Sequence, residues 1–176
     1  TAIADLNNGG KRIIYPTPFT EGQTDIEING LIWMGSKDSM RQQIIKKLEA
    51  GFHCIKLKIG AIDFDAELDL LRMIRSQFSK ELIELRVDAN GAFSPKDAPR
   101  KLEQLAQYDI HSIEQPIRQG QWEEMSRLCR NTPIPIALDE ELIGIEGFNK
   151  DKLLDTIRPQ YVVIKPSLLG SFSGSW

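Results

Sequence analysis

Polar residues recur at the ends of apolar runs with a spacing that leaves few folds open. Asp88 lies 30 residues after Lys58, Glu114 lies 26 after Asp88, Asp139 lies 25 after Glu114, and Lys165 lies 26 after Asp139. That recurrence is the length of one strand plus one crossover helix, the unit that joins neighbouring parallel strands. Strands are expected at 28–34, 54–60, 82–87, 110–113, 134–138 and 161–164. Helices are expected between them, at 37–50, 64–78, from Ser94-Pro95 to about Tyr108, at 121–130 and at 147–155. The helix after Ser36 has a capping serine and an apolar face of Met40, Ile44, Ile45 and Leu48. Leu68, Leu71, Ile74 and Phe78 form the stripe of the next. Near-continuous apolar runs such as Tyr161-Val162-Val163-Ile164 suit a sheet buried on both faces. Two α/β architectures fit, a doubly wound open sheet or a (β/α) barrel. A barrel calls for eight strands and six are read here.

Composition narrows the class. With 41% hydrophobic and 27% charged residues, the chain reads as a soluble globular protein. A net charge of -3 gives no electrostatic case for nucleic acid or an anionic membrane. Cys54 and Cys129 both fall in apolar patterns, as reduced core thiols do, which suits a cytoplasmic protein. There is no apolar run long enough for a membrane-spanning helix and no signal pattern at the start.

Cys54-Ile55-Lys56-Leu57-Lys58-Ile59-Gly60 is the most telling strand. Residues two apart point to one face, so Lys56 and Lys58 project together. Two adjacent ammonium groups lower each other's proton affinity, and a lysine so tuned can act as a base near neutral pH. An edge strand protected by lysines against aggregation is the plainer reading. Next along the rim come Asp88 with Asn90, then Glu114, Asp139 and Lys165. Three convergent carboxylates repel unless a cation sits among them. Oxygen-only donors favour a hard ion, Mg²⁺ before Ca²⁺ or Zn²⁺. Each residue also has an ordinary reading: an Asx-turn for Asp88, exposed surface for Asp139-Glu140-Glu141.

Lys56-Leu57-Lys58, Val87-Asp88-Ala89-Asn90-Gly91, Ile113-Glu114-Gln115-Pro116, Ala137-Leu138-Asp139-Glu140 and Val163-Ile164-Lys165-Pro166 resemble, in order, the motifs of the enolase superfamily, in its muconate-lactonising subgroup. Within it the words Ile28-Asn29-Gly30-Leu31-Ile32-Trp33-Met34 and 163–171 are similar to the o-succinylbenzoate synthase family, dehydratases of menaquinone biosynthesis. The resemblance covers roughly 28–170. It implies a TIM-like (β/α)7β barrel and a lyase that removes a proton alpha to a carboxylate. It also implies that Asp88, Glu114 and Asp139 bind Mg²⁺, and that Lys58 is the general base. Lys56 would support Lys58 and contact the carboxylate of a small-molecule substrate. Lys165 would stabilise the enolate face, and Asn90 is a substrate or outer contact. Glu140 would lie off to the side.

The family pattern is incomplete. Only residues 1–20 match a remnant of the N-terminal capping domain, and 21–176 read as a partial barrel of strands one to six. A fragment, inactive alone, is therefore expected, and homo-oligomer formation stays open. Two other functions remain in play. A dipeptide epimerase or N-acylamino acid racemase would use Lys58 and Lys165 as opposed bases on the same frame. A non-catalytic, doubly wound Mg²⁺-binding domain would lack such use, but no Gly-x-Gly-x-x-Gly or Gly-Lys-Ser/Thr follows any strand to mark a phosphate loop.

Overall fold

The computed structural model describes residues 2–145, 148–170 and 175. Six strands form one parallel sheet: β1 (Gly30–Ile32), β2 (Cys54–Lys58), β3 (Glu84–Asp88), β4 (Ile110–Glu114), β5 (Ile136–Leu138) and β6 (Tyr161–Val162). They lie in sequence order, β1-β2-β3-β4-β5-β6, every neighbouring pair parallel. A doubly wound sheet reverses its strand order at a switch point. This one does not, so the doubly wound alternative is set aside. Consecutive parallel strands with same-handed crossovers put their helices on one side, as in a barrel wall.

Alternation along the strands confirms the two-sided design. Ile55, Leu57, Leu85, Val87 and Ile113 are fully buried, and they share a core with Met40, Ile44, Leu71, Ile74, Leu102, Leu105, Met125 and Leu128 from the helices. Cys54, Lys56 and Lys58 occupy the intervening positions of β2 and are only half-buried. The expectation of burial on both faces fails at β6. Tyr161 and Val162 are exposed, because β6 is a sheet edge with β5 as its one strand neighbour among the described residues. Its pairing is extended by Val163 N–H, which donates to the Leu138 carbonyl at 2.7 Å.

The helices are α1 (Ala2–Asn7), α2 (Lys37–Glu49), α3 (Phe64–Arg75), α4 (Ala98–Ala106), α5 (Trp122–Asn131) and α6 (Phe148–Ile157). Ser36 caps α2, accepting from Ser39 N–H, and Asp63 caps α3, accepting from Asp65 and Ala66. Helix α4 begins later than Ser94-Pro95 suggests. Ser94 instead closes a turn, its carbonyl accepting from Asp97 and Ala98, and Pro99 takes the early-helix position. Residues 8–29 form turns without a helix or strand. Cys54 in β2 and Cys129 in α5 are free thiols, each pushed by burial up to about 11. Among the described residues, no helix is long and apolar enough to cross a membrane.

Candidate active site

Register sets the rim. Lys58 pairs with Asp88 across β2 and β3, and Asp88 pairs with Glu114 across β3 and β4. These three therefore lie in one row. Glu114 pairs with Ala137, and Ala137 with Tyr161. Asp139 thus stands two residues beyond the row, and Lys165 two beyond Asp139. Parallel strands that tilt and stagger, as in a barrel, produce such a climb.

The lysines and acids of the rim meet. Lys58 Nζ lies 2.8 Å from Asp88 Oδ2 and donates to Asn90 Oδ1 at 2.7 Å. Lys56 Nζ reaches between two carboxylates, bonding Glu114 Oε2 and lying 3.5 Å from Asp88 Oδ2. Lys165 Nζ bonds Asp139 Oδ2. Asp88, Glu114 and Asp139 are 1%, 6% and 3% exposed, so these ammonium groups balance charge that water does not reach. Burial pushes the Glu114 carboxyl up to about 7; the Lys56 ammonium pulls it back, while Asp88 and a hydrogen bond with Asp139 raise it. At Lys165 burial disfavours the ammonium, but the hydrogen bond and charge of Asp139, with Glu114 and Glu140 behind, raise its pKa overall.

Whether these acids suit a divalent metal is answered by their partners. The donor set is all oxygen and buried, and a cationic nitrogen already lies between Asp88 and Glu114. That is the chemistry a hard cation seeks. The lysines reaching in also divide the acids: among the described residues, no group of three His, Cys, Asp or Glu stands close enough to hold one ion.

The acidic triplet departs from expectation. Glu140–Leu142 is a 3-10 turn, in which successive side chains point roughly 120° apart. Asp139 turns to Lys165. Glu140 does not lie aside: its Oε1 accepts from Asn90 Nδ2 at 2.8 Å, and its Oε2 is buried with no hydrogen-bond partner among the described residues. Glu141, only 4% exposed, accepts from Gly120 N–H at 2.8 Å and from Gln115 Nε2 at 3.2 Å. Surface exposure was the wrong reading of these acids. Gln115, fully buried, accepts from the N–H groups of Asp139 and Glu141 at 3.2 and 3.3 Å and so fixes the end of β5 to β4. The Asx-turn reading of Asp88 holds as well, since its Oδ1 accepts from Asn90 N–H at 3.0 Å. Trp33, just after β1, has its ring centroid 5.4 Å from Lys58 Nζ.

Residues 39–174 match the family model described as enolase C-terminal domain-like. The chain belongs to this family. Among curated members it is 55% identical over 177 residues to the o-succinylbenzoate synthase of Desulfotalea psychrophila, an alignment covering 99% of this chain and 48% of that protein. The crystal structure of MenC from the same organism superposes with a TM-score of 0.87 at 53% identity, over 98% of this chain and 48% of that one. A dipeptide epimerase of Cytophaga hutchinsonii, complexed with Mg and D-Ala-L-Val, superposes with a TM-score of 0.75 at 23% identity, over 85% of this chain and 40% of that one. At that identity the likeness speaks for the fold alone. The chain spans about half the length of the relatives it matches.

A groove of about 410 Å³ runs between α4 and α5, lined by Pro95, Pro99, Leu102, Leu128 and Pro133 among others. None of the rim residues lines it, and it holds no cluster of nucleophiles.

Proposed function

We propose that this chain carries the acid-and-lysine face of an o-succinylbenzoate synthase, a Mg²⁺-dependent dehydratase of menaquinone biosynthesis acting in the cytoplasm. The observation that carries the reading is the rim itself: buried Asp88, Glu114 and Asp139 flanked by Lys58 on one side and Lys165 on the other. The choice of dehydration is supported by the 55% identity to a synthase.

Asp88, Glu114 and Asp139 would hold Mg²⁺ once their lysine partners swing aside. When bound, the ion supplies positive charge that stabilises an ene-diolate at the substrate carboxylate, the chemistry general to this superfamily. Lys58 removes the alpha proton: the C–H bond breaks, an N–H bond forms on Nζ, and the electron pair enters the ene-diolate. The Lys58 ammonium then protonates the beta hydroxyl, the C–O bond breaks, water leaves, and the ring becomes aromatic. Asn90 aims the amine through its Oδ1 contact. Lys56, beside Lys58 on the same face, meets the substrate carboxylate. Lys165 sits across the acids and faces the opposite side of the enolate.

That opposed lysine also favours a second reading, a dipeptide epimerase with two bases. Incubation in D₂O separates the two. Conversion of the hydroxycyclohexadiene carboxylate to o-succinylbenzoate supports the synthase. Alpha-deuterium uptake from both dipeptide epimers without dehydration supports the epimerase and overturns it.

A further inference from the structure

The row across the sheet continues beyond Lys58. Leu31 of β1 pairs with Lys56 of β2, and Ile32 pairs with Leu57. Trp33 is the next residue, so alternation sets it level with Lys58 and on the same face. Trp33 is 57% exposed, and its ring centroid lies 5.4 Å from Lys58 Nζ. That is within reach of a cation–π contact.

The backbone of Trp33 is held. Its N–H donates to Gln43 Oε1 at 2.8 Å, and its carbonyl accepts from Gln43 Nε2 at 3.1 Å. One side-chain amide from α2 satisfies both peptide groups, as a neighbouring strand would. A large aromatic side chain is thus fixed at the root, with the Lys58 ammonium over its ring and much of its surface exposed. Nothing in the packing of the core requires this, because Trp33 lies outside the core cluster.

Across this row Trp33 presents an apolar plane, Lys58 an amine and Asp88 a charged group, in that order. A substrate whose acidic carbon faces Lys58 must turn one end to each flank. Its carboxylate belongs on the side of Asp88 and Lys56, where charge is balanced by charge. Its carbon frame then falls on the Trp33 side. We infer that Trp33, held by Gln43, is the specificity wall of the site, selecting substrates whose alpha carbon belongs to a flat, unsaturated six-membered ring. This deepens the synthase reading and rests on it for the reaction, though not for the binding.

The test uses Trp33→Ala, Trp33→Phe and Gln43→Leu, with calorimetric binding of o-succinylbenzoate, benzoate and succinate in the presence of Mg²⁺. An exposed indole contributes little to folding, so thermal melts of the Trp33 variants should match the parent. Trp33→Ala should weaken the two ring ligands roughly tenfold, the scale of one aromatic stacking contact, and leave succinate unchanged. Trp33→Phe should retain most of the ring affinity. Gln43→Leu should fall between, with KM for the ring substrate raised more than kcat is lowered. Equal ring affinity in the parent and Trp33→Ala, or equal losses for ring and acyclic ligands, overturns the inference. Ring-selective loss in Trp33→Ala, measured against a parent protein that binds the ring ligands but shows no dehydration, sustains the wall and overturns the synthase reading instead.

Discussion

Lys58 and Asp88 are register partners on neighbouring strands, and their side chains meet at 2.8 Å on the inner face of the sheet. The pair ties the proposed base to a proposed metal ligand, so one substitution separates their roles. Lys58→Met keeps the length of the side chain and removes the amine. Dehydration should fall by about 10²–10⁴-fold, the range for loss of a general base. Mg²⁺ affinity should hold or rise, because Asp88 loses a competing cation. Steady-state kinetics and calorimetry on the same sample read both. Undiminished turnover removes Lys58 as the base.

Glu114 sets a pH limit on the same site. Burial pushes its carboxyl up to about 7, so below that pH a metal must displace a proton. Mg²⁺ affinity should fall as pH drops from 7, approaching about tenfold per unit. Metal-free stability has the opposite sign. A raised carboxyl pKa contributes stability that is full below about 4.5 and lost as pH rises through about 7. Calorimetric titrations at pH 6, 7 and 8 check the first, and urea midpoints without metal check the second. Glu114→Gln should flatten both curves.

Much of this architecture is legible in the sequence because its signals are periodic. The spacing of Lys58, Asp88, Glu114, Asp139 and Lys165 reads as five strand ends; the structure has Lys58, Asp88 and Glu114 as the last residues of β2, β3 and β4, Asp139 just past β5, and Lys165 three residues past β6. What is not legible depends on direction rather than position. Glu140 turns inward because a 3-10 turn spreads three neighbouring acids around its axis, and an acidic triplet in a sequence carries no such angle. Gln115 reads as a loop residue beside Pro116, yet it is the most enclosed polar group at the rim, since a single amide there satisfies two N–H groups of the next strand end. Trp33 shows its role only once β1 and β2 are in register. Sheet order also lies beyond periodicity, because barrel and doubly wound sheets share the same repeat.

Gly60 closes the strand that carries both lysines. Its φ is +92°, and a Cβ placed there would lie 2.3 Å from Ala92 Cβ. Gly60→Ala should therefore destabilise the fold by about 2–4 kcal/mol, the sum of a left-handed backbone penalty and an overpacked contact. Adding Ala92→Gly removes the clash and leaves the backbone share, about 1–2 kcal/mol. Urea denaturation of the parent and the two variants measures both shares. A double variant no more stable than Gly60→Ala would show that the contact with Ala92 is not the cause.

Glu67 supports the same turn from below. Its carboxylate, 1% exposed, accepts from Gly60 N–H at 2.6 Å through Oε1, while Oε2 is buried with no hydrogen-bond partner among the described residues. Burial raises its pKa above the usual carboxylate value; the nearby N–H groups of Gly60, Ile62 and Ala61, and then Lys101, pull it partly back. A raised carboxyl favours the folded state most at low pH, and that contribution fades as pH climbs from about 4.5 through the folded-state value. Glu67→Gln retains an acceptor for Gly60 but does not titrate. The parent should thus exceed the variant in stability most at pH 4, with the gap narrowing toward pH 8. Glu67→Ala leaves Gly60 N–H unpaired and should lose about 1–3 kcal/mol at every pH. Urea midpoints across that range decide it, and a gap that widens with pH would mean the carboxylate is held charged by the turn rather than strained by burial.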